Sequence, residues 1–177
     1  MYSEASDQTK QLDQLLASIK TGDTDALAAL YRLCSTAVYA YSFSILKNNE
    51  DAEDVLQDCF ISIFENAHRY HSTGKPMAWI LTIAKNQCLM QMRKRGKAAS
   101  TAFDECLSTA VAAHTDPTDR IVLEHCVQQL TDQERQIVVL HAVVGWKHRE
   151  IAAFLGMHTS TVLSKYHRSI EKLKNFI

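Results

Sequence analysis

Apolar residues recur at helical spacing through most of this chain, and this periodicity constrains its fold more than any other feature. From Leu12 to Ile19, for example, apolar side chains lie at positions i, i+3, i+4 and i+7, on one face of an α-helix. The 177 residues include only 5 glycines and 2 prolines, so few positions can interrupt such helices. The sequence therefore predicts an all-α fold.

Four helices are predicted in the first half of the chain. Gly22 ends the first helix, Asp23 can cap the second, and Pro76 suits the first turn of the fourth. The third helix is expected to bury Val55, Cys59, Ile63 and Phe64 on its apolar stripe. The predicted helices cover residues 9–20, 24–46, 51–69 and 76–94.

A segment without an apolar stripe, residues 98–116, follows these helices. It is rich in Ala, Ser, Thr and acidic residues and contains no Lys or Arg, as is typical of a flexible linker. We therefore predict two small helical domains, residues 1–97 and 117–177, that move independently in the free protein.

The second domain carries several helix signals. Asp116 and Pro117 can open one helix, while Thr131 and Glu134 match a capping box that starts another, expected to run to Gly145. Two further helices, predicted over residues 147–155 and 159–175, are separated by a short turn.

The last two helices have the pattern of a helix-turn-helix. This motif needs a small residue where its helices cross, a glycine for the left-handed turn, and a branched apolar residue early in the second helix. Ala152, Gly156 and Val162 meet these needs in order. An ordinary helical hairpin remains the alternative on spacing alone.

Polar residues on the last helix favour the helix-turn-helix. Residues 145–174 carry six basic and two acidic side chains, a balance that suits a polyanion although the whole chain has a net charge of −1. Side chains of the kind found there bond base edges and phosphates. The candidate DNA contacts are Ser160, Thr161, Ser164, Lys165, Arg168 and, toward the helix end, Lys172.

The first domain has two patches of opposite charge. Residues 50–65 are purely acidic among their charged side chains, whereas residues 85–97 are purely basic. Carboxylates in the first turn of a helix favour its dipole, which explains Glu50 to Asp54 but not Asp58. One chain thus offers two different surfaces to partners.

Several function classes lack support in the sequence. The five cysteines show neither a CxxC pair nor zinc-ligand spacing, and no nucleophile motif or phosphate loop is present. We expect reduced thiols and no metal, cofactor or catalytic residue. No apolar run is long enough to span a membrane and the N-terminus lacks secretory features, so a cytoplasmic protein without membrane contact is expected.

Three motifs together resemble the extracytoplasmic-function sigma factors of bacterial RNA polymerase. Residues 51–60 (DAEDVLQDCF) resemble their polymerase-binding helix, and residues 79–86 (WILTIAKN) resemble their promoter-melting, −10-reading helix. Residues 150–168 are similar to their −35-reading helix-turn-helix. The resemblance covers most of the chain, with the motifs in the family's order.

The resemblance implies a transcription initiation factor and a role for each motif. The implied partners are core RNA polymerase, through the clamp of its largest subunit and the flap of its second largest, double- and single-stranded promoter DNA, and an anti-sigma factor. Asp54, Gln57, Asp58 and Phe60 would face or support the clamp. The −10 DNA would meet His71, Ser72, Thr73, Gly74, Lys75, Trp79, Lys85, Asn86, Arg93, Lys94 and Arg95, and the −35 DNA the residues named above on the last helix.

Departures from the family pattern affect promoter preference. Met77 replaces a common aromatic residue, Ser160 a frequent glycine and Leu163 a usual lysine. The alternative function is a sigma-like decoy that binds an anti-sigma factor without initiating transcription. A plain helix-turn-helix repressor would not need the helix of residues 51–60.

Overall fold

The computed structural model describes residues 2–72, 74–98 and 129–174, with side chains for 7–72, 74–96 and 129–174. The described residues form seven α-helices and no strand, which confirms the predicted all-α fold. Thr73, the predicted linker beyond Ala98, the helix predicted from Asp116, and Cys106 and Cys126 lie outside the described residues. The helices are α1 (Tyr2–Ile19), α2 (Thr24–Leu46), α3 (Asn49–Asn66), α4 (Pro76–Ala98), α5 (Asp132–Ala142), α6 (His148–Leu155) and α7 (Thr159–Lys174), and a 3-10 turn covers Ala67–Arg69.

Helix α2 is the centre of the N-terminal bundle. It packs against α1, α3 and α4, and Leu30, Val38 and Tyr41 along it are fully buried. Its start is fixed by Asp23, whose carboxylate accepts from the backbone N–H groups of Asp25 and Ala26 at 2.9 and 3.0 Å. The predicted Asp23 cap is therefore confirmed.

One residue predicted to be buried is exposed. Phe64 is 39% exposed, so this assignment was wrong, whereas Val55, Cys59 and Ile63 are buried as predicted. The buried stripe of α3 runs through Cys59 and Ile63, and Phe64 lies about 100° further round the helix than Ile63. The helix bounds also differ from the predicted ones, since α1 already includes Tyr2 and α4 continues to Ala98.

The C-terminal helices contribute buried side chains to the same apolar cluster as the N-terminal bundle. Ile137, Leu140, Ile151 and Val162 are fully buried there. The Thr131 side chain accepts from the N–H of Glu134 while Glu134 accepts from the N–H of Thr131, which confirms the predicted capping box. Helix α5 ends at Ala142, three residues earlier than predicted.

The two groups of helices contact each other through α2 and α5. The predicted domain boundaries and the predicted independent motion of the two domains stay predictions. Within the described residues, no helix is long and apolar enough to cross a membrane.

Candidate nucleic-acid and polymerase interfaces

A helix-turn-helix is formed by α6 and α7 as the sequence predicts. Gly156 ends α6 in the left-handed conformation, with φ 67°, which a residue without a Cβ adopts at little cost. The N–H of Met157 donates to the carbonyl of Ala152 at 2.9 Å and closes the turn. Ala152 is 3% exposed at the helix crossing and Val162 is fully buried beneath α7.

The outward face of α7 is polar, and Leu163 interrupts it with 38% exposure. Ser160, Thr161, Ser164 and Arg168 are exposed, whereas Lys165 is half-buried. The Nε of Arg168 donates to the carbonyl of Ser164 at 3.2 Å, so this guanidinium lies along the helix. The face therefore combines hydroxyl groups near the start of α7 with cations near its middle.

Lys172 has a partner within the domain. Its Nζ donates to both carboxylate oxygens of Glu134 at 3.0 and 2.9 Å, and Glu134 is only 5% exposed. Burial by itself would raise the pKa of Glu134, but bonds from Lys172 and Thr131 outweigh it and lower the pKa from 4.5 to about 2. The phosphate role predicted for Lys172 thus competes with an ion pair that fastens α7 to α5.

A cluster of histidine and tyrosine rings between α5, α6 and α7 was not predicted from the sequence. His141 and His148 stack with ring centroids 4.6 Å apart, and the Tyr166 ring meets both edge-on. Nδ1 of His141 also lies 2.8 Å from the carbonyl oxygen of Trp146. Burial lowers the pKa of His148, and the neighbouring His141 and His167 lower it further. The lowered pKa favours the uncharged form of the His148 ring, and the contacts with Tyr166 attach the cluster to α7.

The loop before α4 carries exposed polar residues and follows Tyr70, which contacts α1 and α4. His71, Ser72, Gly74 and Lys75 are exposed. Behind them the Tyr70 hydroxyl donates to Asp13, and the Trp79 ring lies 5.0 Å from that of Tyr70. Trp79 itself is half-buried.

Some basic residues of α4 are exposed, whereas others contact residues elsewhere in the chain. Asn86, Arg93 and Lys94 are exposed, while Arg95 forms an ion pair with Asp51. Lys85 is half-buried, with its Nζ 5.6 Å from the ring centroid of Phe154 in α6. The predicted −10 surface is therefore partly engaged by other residues of the chain.

Asp51 does not belong to the acidic surface. It is 7% exposed and accepts from the Gln91 side chain at 3.2 Å in addition to its pairing with Arg95. Its own N–H is bound by the Asn48 side chain at 2.9 Å. Asp51 thus joins the start of α3 to the basic end of α4.

The outward face of α3 carries the predicted polymerase contacts. Asp54, Gln57 and Asp58 are exposed, whereas Phe60 is 6% exposed with its ring 4.8 Å from that of Tyr31. Phe60 can therefore support the face but not contact a partner directly. Ile61, which sequence reasoning did not select, is 57% exposed on the same face.

Three cysteines lie in the core of the N-terminal helices. Burial raises the pKa of Cys34 and Cys59 to about 12 and that of Cys88 to about 11. A thiol that stays protonated is a poor nucleophile and metal ligand. Among the described residues, no three His, Cys, Asp or Glu side chains are grouped to hold a metal.

Comparisons with known proteins identify both halves of the chain. The family model for sigma-70 region 2 matches residues 30–98, and that for sigma-70 region 4 matches residues 120–173. The chain belongs to the extracytoplasmic-function sigma factors. It is 29% identical to the RNA polymerase sigma factor CarQ of Myxococcus xanthus over 161 residues, covering 89% of this chain and 92% of CarQ. It is 28% identical to the sigma factor SigW of Bacillus subtilis over 173 residues, covering 90% of this chain and 92% of SigW.

Solved structures share the fold of this sigma factor. CnrH in complex with the cytosolic domain of CnrY is 22% identical, with a TM-score of 0.62, covering 92% of this chain and 94% of CnrH. The sigma factor RpoE of Bartonella quintana, in complex with the anti-sigma factor NepR, is 23% identical, with a TM-score of 0.65. The match covers 82% of this chain and 92% of RpoE. As a sigma factor, the chain is a transcription initiation factor that directs core RNA polymerase to promoters; sigma factors are not known as enzymes.

Proposed function

We propose that this sigma factor reads the −35 element through α7 and the −10 element through α4 and the loop before it, while α3 binds the polymerase clamp. The observation that carries this proposal is the polar outward face of α7 on a helix-turn-helix closed by Gly156 and Val162. A helix held in this way can enter the major groove, where hydroxyl and ammonium groups reach base edges.

The −10 assignment is supported by the loop before α4. Its exposed residues stand beside the half-buried Trp79, whose ring is held by Tyr70. An aromatic platform next to exposed polar groups suits an unstacked base of a single strand. We therefore propose that His71 to Lys75 capture a non-template base, with Asn86, Arg93 and Lys94 on the adjoining DNA.

The clamp assignment is supported by the face of α3. Asp54, Gln57 and Asp58 are exposed together, and the exposed Ile61 adds an apolar side chain about one turn beyond them on the same face. Interfaces combine apolar and polar side chains. We propose this face for the clamp of the largest subunit, and the C-terminal helices for the flap of the second largest.

An anti-sigma factor is a further proposed partner. The Bartonella quintana relative is seen in complex with one, and its fold is that of this chain. We propose that this sigma factor acts in the cytoplasm and is restrained there by such a partner. A decoy that binds an anti-sigma factor without initiating transcription is the alternative.

In vitro transcription tests this proposal. Purified protein is mixed with core polymerase and a library of promoter fragments, and the starts of the transcripts are sequenced. We expect starts at a fixed distance from one recurring pair of −35 and −10 elements, and loss of that −35 preference when Ser160, Thr161 and Ser164 are replaced by Ala. Binding of core polymerase without transcripts from any fragment would favour the decoy, and no binding would overturn the proposal.

A further inference from the structure

Leu163 is an exposed apolar side chain on the helix that is proposed to read the −35 element. It is 38% exposed, whereas the preceding residue, Val162, is fully buried beneath α7. Successive side chains of an α-helix differ by about 100° in direction, so Leu163 lies away from the buried side. The other exposed side chains of α7 are all polar or charged. An apolar group is therefore placed among hydroxyl and basic groups on an open surface.

The position of Leu163 along α7 indicates a function more clearly than its exposure does. Single exposed leucines are common on protein surfaces and do not by themselves indicate a partner. Leu163 lies within the first two turns of α7, which begins at Thr159, and residues near the start of a recognition helix contact base edges. Residues three apart are neighbours on a helix surface, so Leu163 adjoins Ser160, a proposed DNA contact.

The chemistry of leucine restricts what this side chain can contact in the major groove. It neither donates nor accepts a hydrogen bond, so it cannot bind a phosphate or the polar edge of a base. Among the four ordinary bases, thymine alone presents an apolar group in the major groove, its C5 methyl. Beside another base, Leu163 would cover polar atoms without bonding them, which is unfavourable.

We propose that Leu163 contacts the 5-methyl group of one thymine in the −35 element, on either strand, and so selects a T·A pair at that position. The inference rests on the proposed function of α7. The hydroxyls of Ser160 and Ser164 can bond either a donor or an acceptor, so they distinguish bases less sharply. Leu163 therefore supplies discrimination that these hydroxyl groups lack.

Deoxyuridine tests this contact because it differs from thymidine only in lacking the 5-methyl group. The holoenzyme is assembled from the full-length sigma factor and core polymerase, with a labelled promoter identified by the transcription experiment above. Each thymine of the −35 element is replaced in turn by deoxyuridine, and the affinity is measured by fluorescence anisotropy. At one thymine we expect a loss of about fourfold, the factor that burial of one methyl group predicts. Because only the DNA is changed, this result does not depend on the folding of any variant.

The same measurements on variants assign the loss to Leu163. Leu163→Ala should lose about fourfold on the thymine promoter and lose no more when deoxyuridine stands at that position. Leu163→Met, with an apolar side chain of similar volume, should stay sensitive to deoxyuridine. Leu33→Ala is the matched control, since Leu33 of α2 is also 38% exposed, and it should show the wild-type ratio of affinities for the two promoters.

Full sensitivity to deoxyuridine in Leu163→Ala, or a −35 element without a sensitive thymine, would overturn the inference. The proposed function would still stand if replacing Ser160, Thr161 and Ser164 by Ala abolishes the −35 preference. If that triple replacement has no effect, α7 does not read the −35 element, and the proposed function fails together with the inference. The two failures are therefore distinguishable.

Discussion

Lys172 binds both carboxylate oxygens of Glu134, at 2.9 and 3.0 Å, and so joins the last turn of α7 to the first turn of α5. The same carboxylate accepts from the N–H and the hydroxyl of Thr131, each at 2.9 Å. One buried group thus caps α5 and fixes the direction of the recognition helix. The orientation of α7 depends on this contact as well as on Val162.

The lowered pKa of Glu134 predicts a pH dependence of stability. The pKa of this carboxyl group is about 2 in the folded chain and 4.5 in the unfolded chain. Its contribution to folding stability is therefore complete above pH 4.5 and is lost as the pH falls toward 2. Glu134→Gln should lower the free energy of unfolding by about 1–2 kcal/mol at pH 7. The difference from wild type should shrink on acidification below pH 4.5.

Denaturant unfolding of the C-terminal helices can be followed by the fluorescence of Trp146. The chain has two tryptophans, so Trp79→Phe in every variant removes the fluorescence of the N-terminal helices. Glu171→Gln, an exposed position of α7, is the control and should change the unfolding free energy little at any pH. A loss of equal size in both variants would contradict the role of Glu134.

Neutralising Lys172 is predicted to affect stability more than DNA binding. Lys172→Met leaves the buried Glu134 carboxylate without its cation, at a cost of about 1–3 kcal/mol. The slope of log affinity against log salt for promoter DNA should stay nearly constant, because this ammonium already has a partner. The exposed Lys174→Met is the comparison, with little effect on stability. A fall of about 1 in the slope of Lys172→Met would restore the phosphate contact predicted from the sequence.

The outward face of α3 is predicted to determine affinity for core polymerase. Replacing Asp54, Gln57 and Asp58 together by Ala should weaken core binding by about tenfold or more. Helicity should change little, since the buried side of α3 is untouched. The matched control replaces exposed polar residues of α1 by Ala, namely Gln8, Gln11 and Gln14. Unchanged affinity of the α3 variant, measured by titration with labelled core, would remove the assignment.

The ion pair between Arg95 and Asp51 is predicted to hold the basic end of α4. Arg95→Met leaves the Asp51 carboxylate, 7% exposed, with the Gln91 amide and no cation beside it in the described structure. We expect a loss of about 1–3 kcal/mol in unfolding free energy. Hydrogen exchange should also quicken in the last turns of α4. The exposed Arg93→Met should leave both unchanged, and equal effects of the two variants would contradict a structural role for Arg95.

Features that depend on neighbouring residues could be predicted from the sequence. The turn at Gly156 needs a left-handed backbone, and the caps at Asp23 and Thr131 need an oxygen within a few residues of a free N–H. These requirements are local, so the helix-turn-helix and both caps were confirmed. The assignment of Phe64 to the core was wrong because periodicity gives the width of an apolar stripe less accurately than its direction.

Long-range polar pairs could not be predicted in this way. Glu134 and Lys172 are 38 residues apart, and Arg135 and Ser44 are 91 apart. Charged residues in amphipathic helices are usually solvated, so nothing in the local pattern indicates that a particular one is buried. Arg135 and Glu134 are buried from solvent because α5 packs on α2 and α7, which the local sequence pattern does not indicate.

Lys165 and Arg168 are predicted to contribute to −35 binding in different ways. Lys165 lies near the middle of α7, on the helix proposed to enter the major groove, so Lys165→Ala should cost about 1–3 kcal/mol on the preferred element and much less on scrambled DNA. Arg168, bonded along the helix to Ser164, is proposed to bind backbone phosphates, so Arg168→Ala should weaken both DNAs alike and lower the salt slope by about 1. Both variants are measured on both DNAs across a salt series. If Lys165→Ala weakens the two DNAs by the same factor, Lys165 contacts phosphate and the recognition helix enters the groove about one turn away from the register proposed here.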